Sequence, residues 1–585
     1  MSDFIYSSIS KPRGELTSHI KSIYYSDPPD VFEYHGDWGS IVVSRNMYNG
    51  FQHMETDKHI FVVIGGPVLC YRDNIFLNDN DPVAGTKAIY DRWQSGTLQW
   101  DEDLSGPFAV LLVDKKTGDY WIVTDMMSFI PIYESDFNGV KVIGTHIDAV
   151  ARVAGCVDQK DPVSEADFIL HGFVTYPHTF YTDVRQLAPG SVQCRQSGSE
   201  FVLKSVSYWY PEEKQAYRCI ADAAIALRKS LQEYIRAVTT GMDSMALFIS
   251  GGEDSRVILS MLPANSERNA FIFLDSMNRE GLIAEKAAKI FNAKFHMVKR
   301  DKTHYLDILP PSITLVGSGH EYFHVHNYEF HKRCGLNRYR AVFGGYFSDS
   351  LLKGWGIKKH KINELLGFFP QIKDPVFSHA DRLKSVVVDK QAVEALNNRR
   401  KRHYERVYAI RPESADEWFE LWPASMNRTM PYFHGNRRLF CSFEPFMSSS
   451  VVKISAGVPQ SWKLNRRLFH VMAKPFLKPA WLLLHANGWM PYFPWYANFF
   501  IRGFIGTIRK LQSAAGLEKE HQGPWGDWKQ LLESKEWKDF TDRCIQQGEK
   551  YFGAFTKSPQ QLLKDGHLTL VQQIDLIQVL SAHGR

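Results

Sequence analysis

The chain has 585 residues, enough for two to four domains with cores of their own. Hydrophobic residues make up 44% and charged residues 23%, the balance of an ordinary folded protein, which excludes long disorder. A net charge of +5 is too mild over this length to point to nucleic acid, and no nucleic-acid partner is expected.

Seven cysteines occur, an odd number with no CxxC pair. That pattern suits reduced thiols and a cytoplasmic location better than a disulfide framework or a structural zinc. The opening MSDFIYSSISKPRGE lacks the basic and apolar regions of a secretory signal.

The first 210 residues read as β-rich. His59–Ile64 is a strand ending at Gly65-Gly66. Phe108–Asp114 and Asp119–Thr124 flank the turn Lys115-Lys116-Thr117-Gly118 and predict a hairpin. Pro189-Gly190 marks a turn before a strand at Ser191–Cys194.

The texture changes at Tyr208-Trp209-Tyr210-Pro211, which sets the expected boundary between domains 1–210 and 211–585. Ile220, Ala224, Leu227, Leu231 and Ile235 share one helix face, and Pro211 with Glu212 and Glu213 suits the start of that helix. Strand 245–249, turn 250–255, helix 256–262, strand 270–274, helix 280–292 and strand 295–298 then alternate. This order implies a parallel sheet with right-handed crossovers, and such sheets bind ligands at the carboxyl ends of their strands. From about residue 355 the chain reads as mainly helical. The basic run Arg399-Arg400-Lys401-Arg402, with His403 and Arg406, reads as a solvated helix face, with a contact for an anionic substrate, a peptide leader or RNA as the alternative. The apolar stretch from Trp481 to Ile508 is interrupted by Asn487, Gly488, Pro491, Pro494, Asn498 and Arg502. It therefore predicts no membrane span, but buried or partner-facing structure, with contact at a membrane surface as the alternative.

The turn Ser250-Gly251-Gly252-Glu253-Asp254-Ser255 carries the strongest chemical signal. Its glycines let the backbone approach a ligand, its N–H groups and those of the next helix form an anion nest, and Ser250 and Ser255 add hydroxyls. Asp254 has the wrong charge for phosphate but suits Mg²⁺ held on phosphate. A strand-to-helix turn with an aspartate at the helix start is the plain structural alternative.

This loop resembles the pyrophosphate-binding SGGxDS loop of the asparagine synthetase family, which includes β-lactam synthetases and lasso-peptide cyclases. The resemblance implies a second loop of SGExxD type, and Gly344-Gly345-Tyr346-Phe347-Ser348-Asp349 fits it, with Gly344 for Ser and Tyr346 for Glu. It implies ATP and Mg²⁺ as cofactors. Ser250, Gly251, Gly252, Asp254, Ser255, Gly344 and Gly345 would bind ATP or pyrophosphate, and Asp254 and Asp349 the metal. Ile249 and Phe273 would lie against adenine through backbone groups.

In the N-terminal half, Leu104–Ala109, Asp114, Asp125 to Tyr133 and Leu187–Gly190 resemble the family's glutaminase domain. The family's nucleophilic Cys after the initiator Met is replaced by Ser2, and its arginine-rich glutamine pocket is missing. The expected glutaminase is therefore inactive, with nitrogen taken from free ammonia or a substrate amine. In place of the family's ExRxPFLD run stands Cys441–Ser448, which moves the carboxylate to Glu444. The lysine that assists the adenylate is assigned to Lys463, with Arg466 and Arg467 as alternatives.

His320-Glu321-Tyr322-Phe323-His324 is a literal HExxH pattern, and zinc is one reading of it. It lies between the two loops, the region with which the resembled family lines its acceptor pocket, so the resemblance implies a substrate-side place for His320 and Glu321 instead. The fold expected is α/β overall: an α+β, Ntn-hydrolase-like N-terminal domain, then a parallel-sheet nucleotide domain with a helical extension. The function expected is an AMP-forming ligase that joins a carboxylate substrate to an amine acceptor without an active glutaminase. Ammonia-dependent asparagine synthesis, a zinc peptidase and a catalytically dead nucleotide scaffold are the alternatives, and a homodimer or a pathway partner protein stays open.

Overall fold

The computed structural model describes residues 2–195, 204–360, 371–377, 387–514, 521–548 and 553–583. Two antiparallel sheets of six strands occupy the N-terminal half. The first runs β12-β10-β11-β1-β3-β2, from β1 (Phe4–Ser7), β2 (Val31–Gly36), β3 (Gly39–Ser44), β10 (Tyr133–Phe137), β11 (Val140–Gly144) and β12 (Val184–Gln186). The second runs β14-β13-β9-β8-β5-β4, from β4 (Met54–Glu55), β5 (His59–Gly65), β8 (Phe108–Asp114), β9 (Tyr120–Thr124), β13 (Ser191–Arg195) and β14 (Lys204–Ser207). A small ribbon pairs β6 (Val68–Leu69) with β7 (Leu104–Ser105). The predicted hairpin is the β8–β9 pair, in register from Ala109↔Thr124 to Val113↔Tyr120.

The helix predicted from Pro211 begins instead at Ile220 and runs to Thr239. Before it, the Arg411 guanidinium donates to the carbonyls of Pro211 and Glu212, which fixes that stretch as a loop across the C-terminal half. A helix at Pro211 would withdraw those carbonyls into its own ladder.

The parallel sheet has the order β17-β16-β15-β18-β19, from β15 (Ser244–Phe248), β16 (Glu267–Leu274), β17 (Lys294–Lys299), β18 (Val342–Phe343) and β19 (Ser442–Phe443). Helices Asp254–Met261 and Arg279–Ile290 are the crossovers β15→β16 and β16→β17. Strand order reverses at β15, because the chain adds β16 and β17 on one side and β18 and β19 on the other. Loops leaving β15 and β18 therefore both emerge at the carboxyl end of the sheet, at the switch point where sheets of this kind bind ligands. Beyond residue 387 the described residues are mainly helical, with β19 the one strand among them.

The two halves share one apolar core, in which Phe61, Leu111, Leu227, Ile258 and Phe433 belong to a single buried cluster. The basic run is divided, with Lys401, Arg402 and Arg406 exposed on the solvated face and Arg399 and Arg400 turned to the N-terminal half. In helix Lys390–Ile410, Arg399 binds Asp161 and Ser164, and Arg400 binds Asp167, joining this helix to the N-terminal helix Pro162–His171. The stretch from Trp481 to Ile508 contributes to helix Trp495–Ala514, and no helix of the described residues is long and apolar enough to cross a membrane.

Candidate functional site

Both glycine loops stand at the carboxyl end of the parallel sheet. None of Gly251, Gly252, Gly344 and Gly345 adopts a positive φ, and at Gly251, Gly344 and Gly345 it is crowding that requires glycine. A Cβ on Gly345 would sit 2.9 Å from Asp254 Cβ and 3.1 Å from the Ser255 nitrogen. One on Gly251 would sit 2.8 Å from Ala486 Cβ, and one on Gly344 only 2.3 Å from Glu444 Oε1. The two loops are thus in backbone contact, and any side chain larger than hydrogen would part them.

The loop amides are engaged within the protein. Gly251 N–H donates to Glu280 Oε1 at 2.7 Å, Gly252 N–H to Ser250 Oγ at 3.1 Å, and Ser250 N–H to Ser255 Oγ at 3.1 Å. An anion, the Glu280 carboxylate from the first turn of helix Arg279–Ile290, already sits on one nest amide. Arg256, buried, ties the loop to the distant segment 483–484 by donating to Gly251 O, Leu483 O and Leu484 O.

The carboxylates converge on a cation that the sequence reading missed. Lys353 Nζ lies 2.6 Å from Asp254 Oδ1, 2.9 Å from Asp349 Oδ1 and 3.1 Å from Glu253 Oε1, and 4.4 Å from the centre of the Phe469 ring. Burial pulls the Lys353 ammonium down, but Asp254 and Asp349 outweigh burial and hold its pKa above the ordinary value. Asp349 and Lys353 are four residues apart, a spacing that brings them together on one helical face and that could have flagged the pair.

Lys463 does not serve this cluster. Its side chain is fully buried 2.9 Å from Glu417 and over the Trp418 ring. Arg466 does reach the cluster and pairs with Glu253. Asn465 and Arg466 both take left-handed backbone conformations, φ 52° and 64°, which turn the Arg466 side chain away from the direction a regular helix would give it. Arg467 is exposed and contacts the Ser461 carbonyl.

Glu444 follows β19 and closes the second loop from behind. Its Oε2 accepts the Tyr346 N–H at 3.0 Å, and burial pushes its pKa up to about 8 against the effect of that bond and of Ser442. Tyr346 OH meets Thr429 Oγ1 at 2.9 Å, and its ring tilts against Tyr432.

Ile249 is buried and its N–H donates to Phe271 O. The Phe273 ring stacks on Phe330 at 4.2 Å, and its carbonyl accepts from Arg300 at 2.7 Å.

His320 and Glu321 are not part of a zinc helix. Gly317 and Gly319 have φ of 84° and 85°, Glu321 is extended, and only Tyr322–His324 forms a 3-10 turn. Glu321 is clasped by Arg428 and lies 2.9 Å from His324 Nε2. His320 packs edge-on against His434, and burial lowers its pKa to about 4. Among the described residues no group of three or more His, Cys, Asp or Glu could hold a metal ion. Among the described residues, His320 and Glu321 are hydrogen-bonded to neither glycine loop. The segment carrying Arg428 does bridge to the second one, through Thr429–Tyr346 and Asn427–Ser350.

Ser2 is fully buried at the start of β1. The Gly65 N–H lies 3.4 Å from its hydroxyl, and Arg437 donates to its carbonyl at 2.7 Å. Asp3 beside it binds Arg438 at 2.7 and 2.9 Å, Arg437 at 3.3 Å, Tyr24 at 2.6 Å and Thr145 at 2.8 Å. Burial raises the Asp3 pKa, but the two guanidinium groups more than offset it and hold the carboxyl far below its ordinary range.

Residues 85–209 match the glutamine amidotransferase domain family, so the N-terminal half carries a domain of glutamine amidotransferase type. Two solved structures align with about half of the chain. One is an allosteric regulatory enzyme of purine biosynthesis, at 9% identity and a TM-score of 0.24, covering 51% of this chain and 80% of that one. The other is the glutamine phosphoribosylpyrophosphate amidotransferase of B. subtilis complexed with ADP and GMP, at 8% identity and a TM-score of 0.24, covering 54% and 92%. No curated relative matches the chain.

Proposed function

We propose that this chain is an ATP-dependent ligase of asparagine-synthetase type, which adenylates a carboxylate, releases pyrophosphate and couples the acyl group to an amine. The observation that carries this reading is the contact of the two glycine loops at the point where strand order reverses, with Glu253, Asp254 and Asp349 gathered on one cation. Ser250, Ser255 and the loop amides would grip the phosphates, releasing Glu280 from Gly251. Asp254 and Asp349 would hold Mg²⁺. This donor set fits a cation, since it already gathers an ammonium, and the metal would offset charge on the departing pyrophosphate. Arg466, in place of Lys463, would stand beside the adenylate. Glu444, whose burial raises its pKa to about 8, would in its ionised form accept the proton that the attacking amine releases. Holding both partners in one cleft supplies the proximity gain.

The enclosure of Ser2 and its carbonyl by Arg437 supports an amine or free ammonia as the nitrogen source. The family match over 85–209 favours a second reading, in which this half releases ammonia from glutamine. Glutaminase activity lost in Ser2→Ala would establish that second reading.

The test is ATP–pyrophosphate exchange with Mg²⁺ over pooled carboxylates. Exchange is expected with one pool and should fall roughly 100-fold in Asp254→Ala. Undiminished exchange in that variant would remove the assigned site.

A further inference from the structure

Residues 445–514 contain nine lysines and arginines and no aspartate or glutamate, whereas the chain as a whole is only +5 and the remainder is net acidic. The same stretch exposes large apolar side chains. On helix Trp495–Ala514, Tyr496, Phe500, Phe504 and Leu511 are 53%, 68%, 68% and 66% exposed. Steps of four, four and seven residues place all four on one face of the helix. The opposite side is built inward. Asn498 is buried and its amide donates to the carbonyls of Met490 and Phe493, and the Arg502 guanidinium lies 5.2 Å above the Trp489 ring. Lys478 and Lys510 are exposed on the same acid-free stretch. Trp481, 47% exposed, extends the apolar surface through its contact with Phe493.

We propose that this helix face seats the protein on an anionic lipid surface, with the helix lying in the plane of the interface. Charge decides between occupants. Lys453, Lys463 and Arg466 are neutralised by Asp101 with Glu102, by Glu417 and by Glu253. Arg467, Lys474, Lys478, Arg502 and Lys510 stay exposed. This carboxylate-free set is complementary to anionic headgroups, while outward aromatic rings match the headgroup–acyl boundary. The helix does not meet the requirements for a span. The seat also adjoins the candidate site, because Trp489 carries Arg502 of this helix on one contact and Arg466, the partner of Glu253, on another.

Flotation of the full-length protein with vesicles tests this independently of any catalytic reading. Vesicles of phosphatidylcholine are compared with vesicles containing roughly 30% phosphatidylglycerol. Binding is expected to be at least about tenfold tighter to the anionic vesicles and to weaken as salt rises from about 50 to about 300 mM. Phe500→Ser/Phe504→Ser should lose most of that binding, and Lys478→Glu/Lys510→Glu should reduce it to the level seen with neutral vesicles, both with unchanged circular-dichroism melting. Equal binding to both vesicles, or wild-type binding by the double serine variant, overturns the proposal. So does a wild-type dimer in sedimentation equilibrium that the serine variant converts to monomer, since the face would then cover a second copy.

Discussion

Replacing Lys353 with methionine keeps the length of the side chain but takes away the ammonium that Glu253, Asp254 and Asp349 share. Removing one partner of a fully buried ion pair costs about 3–5 kcal/mol. Here the Asp349 side chain is 61% exposed and Glu253 keeps Arg466, so the stranded charge is mainly that of Asp254 and the expected loss is about 2 kcal/mol. For a unit the size of the parallel-sheet half, that corresponds to a fall of about 2–3 °C in its thermal midpoint. Asp254 and Asp349, left without the ammonium they share, should then draw a cation from solution more strongly. Mg²⁺ added in about 100-fold excess over its dissociation constant would return about 2.7 kcal/mol by mass action, a larger gain than in the wild type, where Lys353 competes. Differential scanning calorimetry of both proteins in EDTA and in MgCl₂ measures all four midpoints. Equal midpoints in EDTA, or the same Mg²⁺ shift in both proteins, would refute the picture of a cation site shared between lysine and metal.

Two further outcomes follow from buried acids. Arg438→Met leaves Asp3 with Arg437 alone and should cost about 3 kcal/mol in urea denaturation at pH 7. Because the Asp3 pKa is depressed on folding from an ordinary 3.8, its contribution is full above about pH 4 and disappears as pH falls below that, so the variant should lose less stability than the wild type on acidification. Glu444 has the opposite sign. Its carboxyl rises from 4.5 to about 8 on folding, so the native state is favoured at low pH and loses stability as pH climbs from about 4.5 to 8. Glu444→Gln should flatten the wild-type stability profile across that window, and a profile identical to wild type would show that Glu444 is ionised in the folded protein.

The extended hairpin 108–124 and the β15–helix–β16–helix–β17 run were readable because each element is long enough to display its own period and is bounded by turn residues. β18 and β19 have two residues each, too short for any period, and yet β18 sets the position of the second glycine loop. The HExxH pattern suggested a helix only on paper, since the positive φ of Gly317 and Gly319 and the extended Glu321 interrupt it. The basic cluster 463–467 could not be oriented from spacing, because two successive left-handed residues redirect Arg466 while Glu417 captures Lys463. Glu280 and Lys353 were visible as residues, but their use as counter-ions depends on loop contacts between segments far apart in sequence.

The bond between Asp3 and Arg438 spans 435 positions of chain. At roughly 5–20 residues per second, a ribosome needs on the order of half a minute or more to deliver the guanidinium after the carboxylate has emerged. Throughout that interval Asp3, immediately before the central strand β1 between β11 and β3, is a charge that has no counter-ion and resists burial. The first strand synthesised is therefore among the last to be locked, and closure of the leading sheet becomes a checkpoint that a truncated chain lacking helix Pro431–Leu439 does not pass.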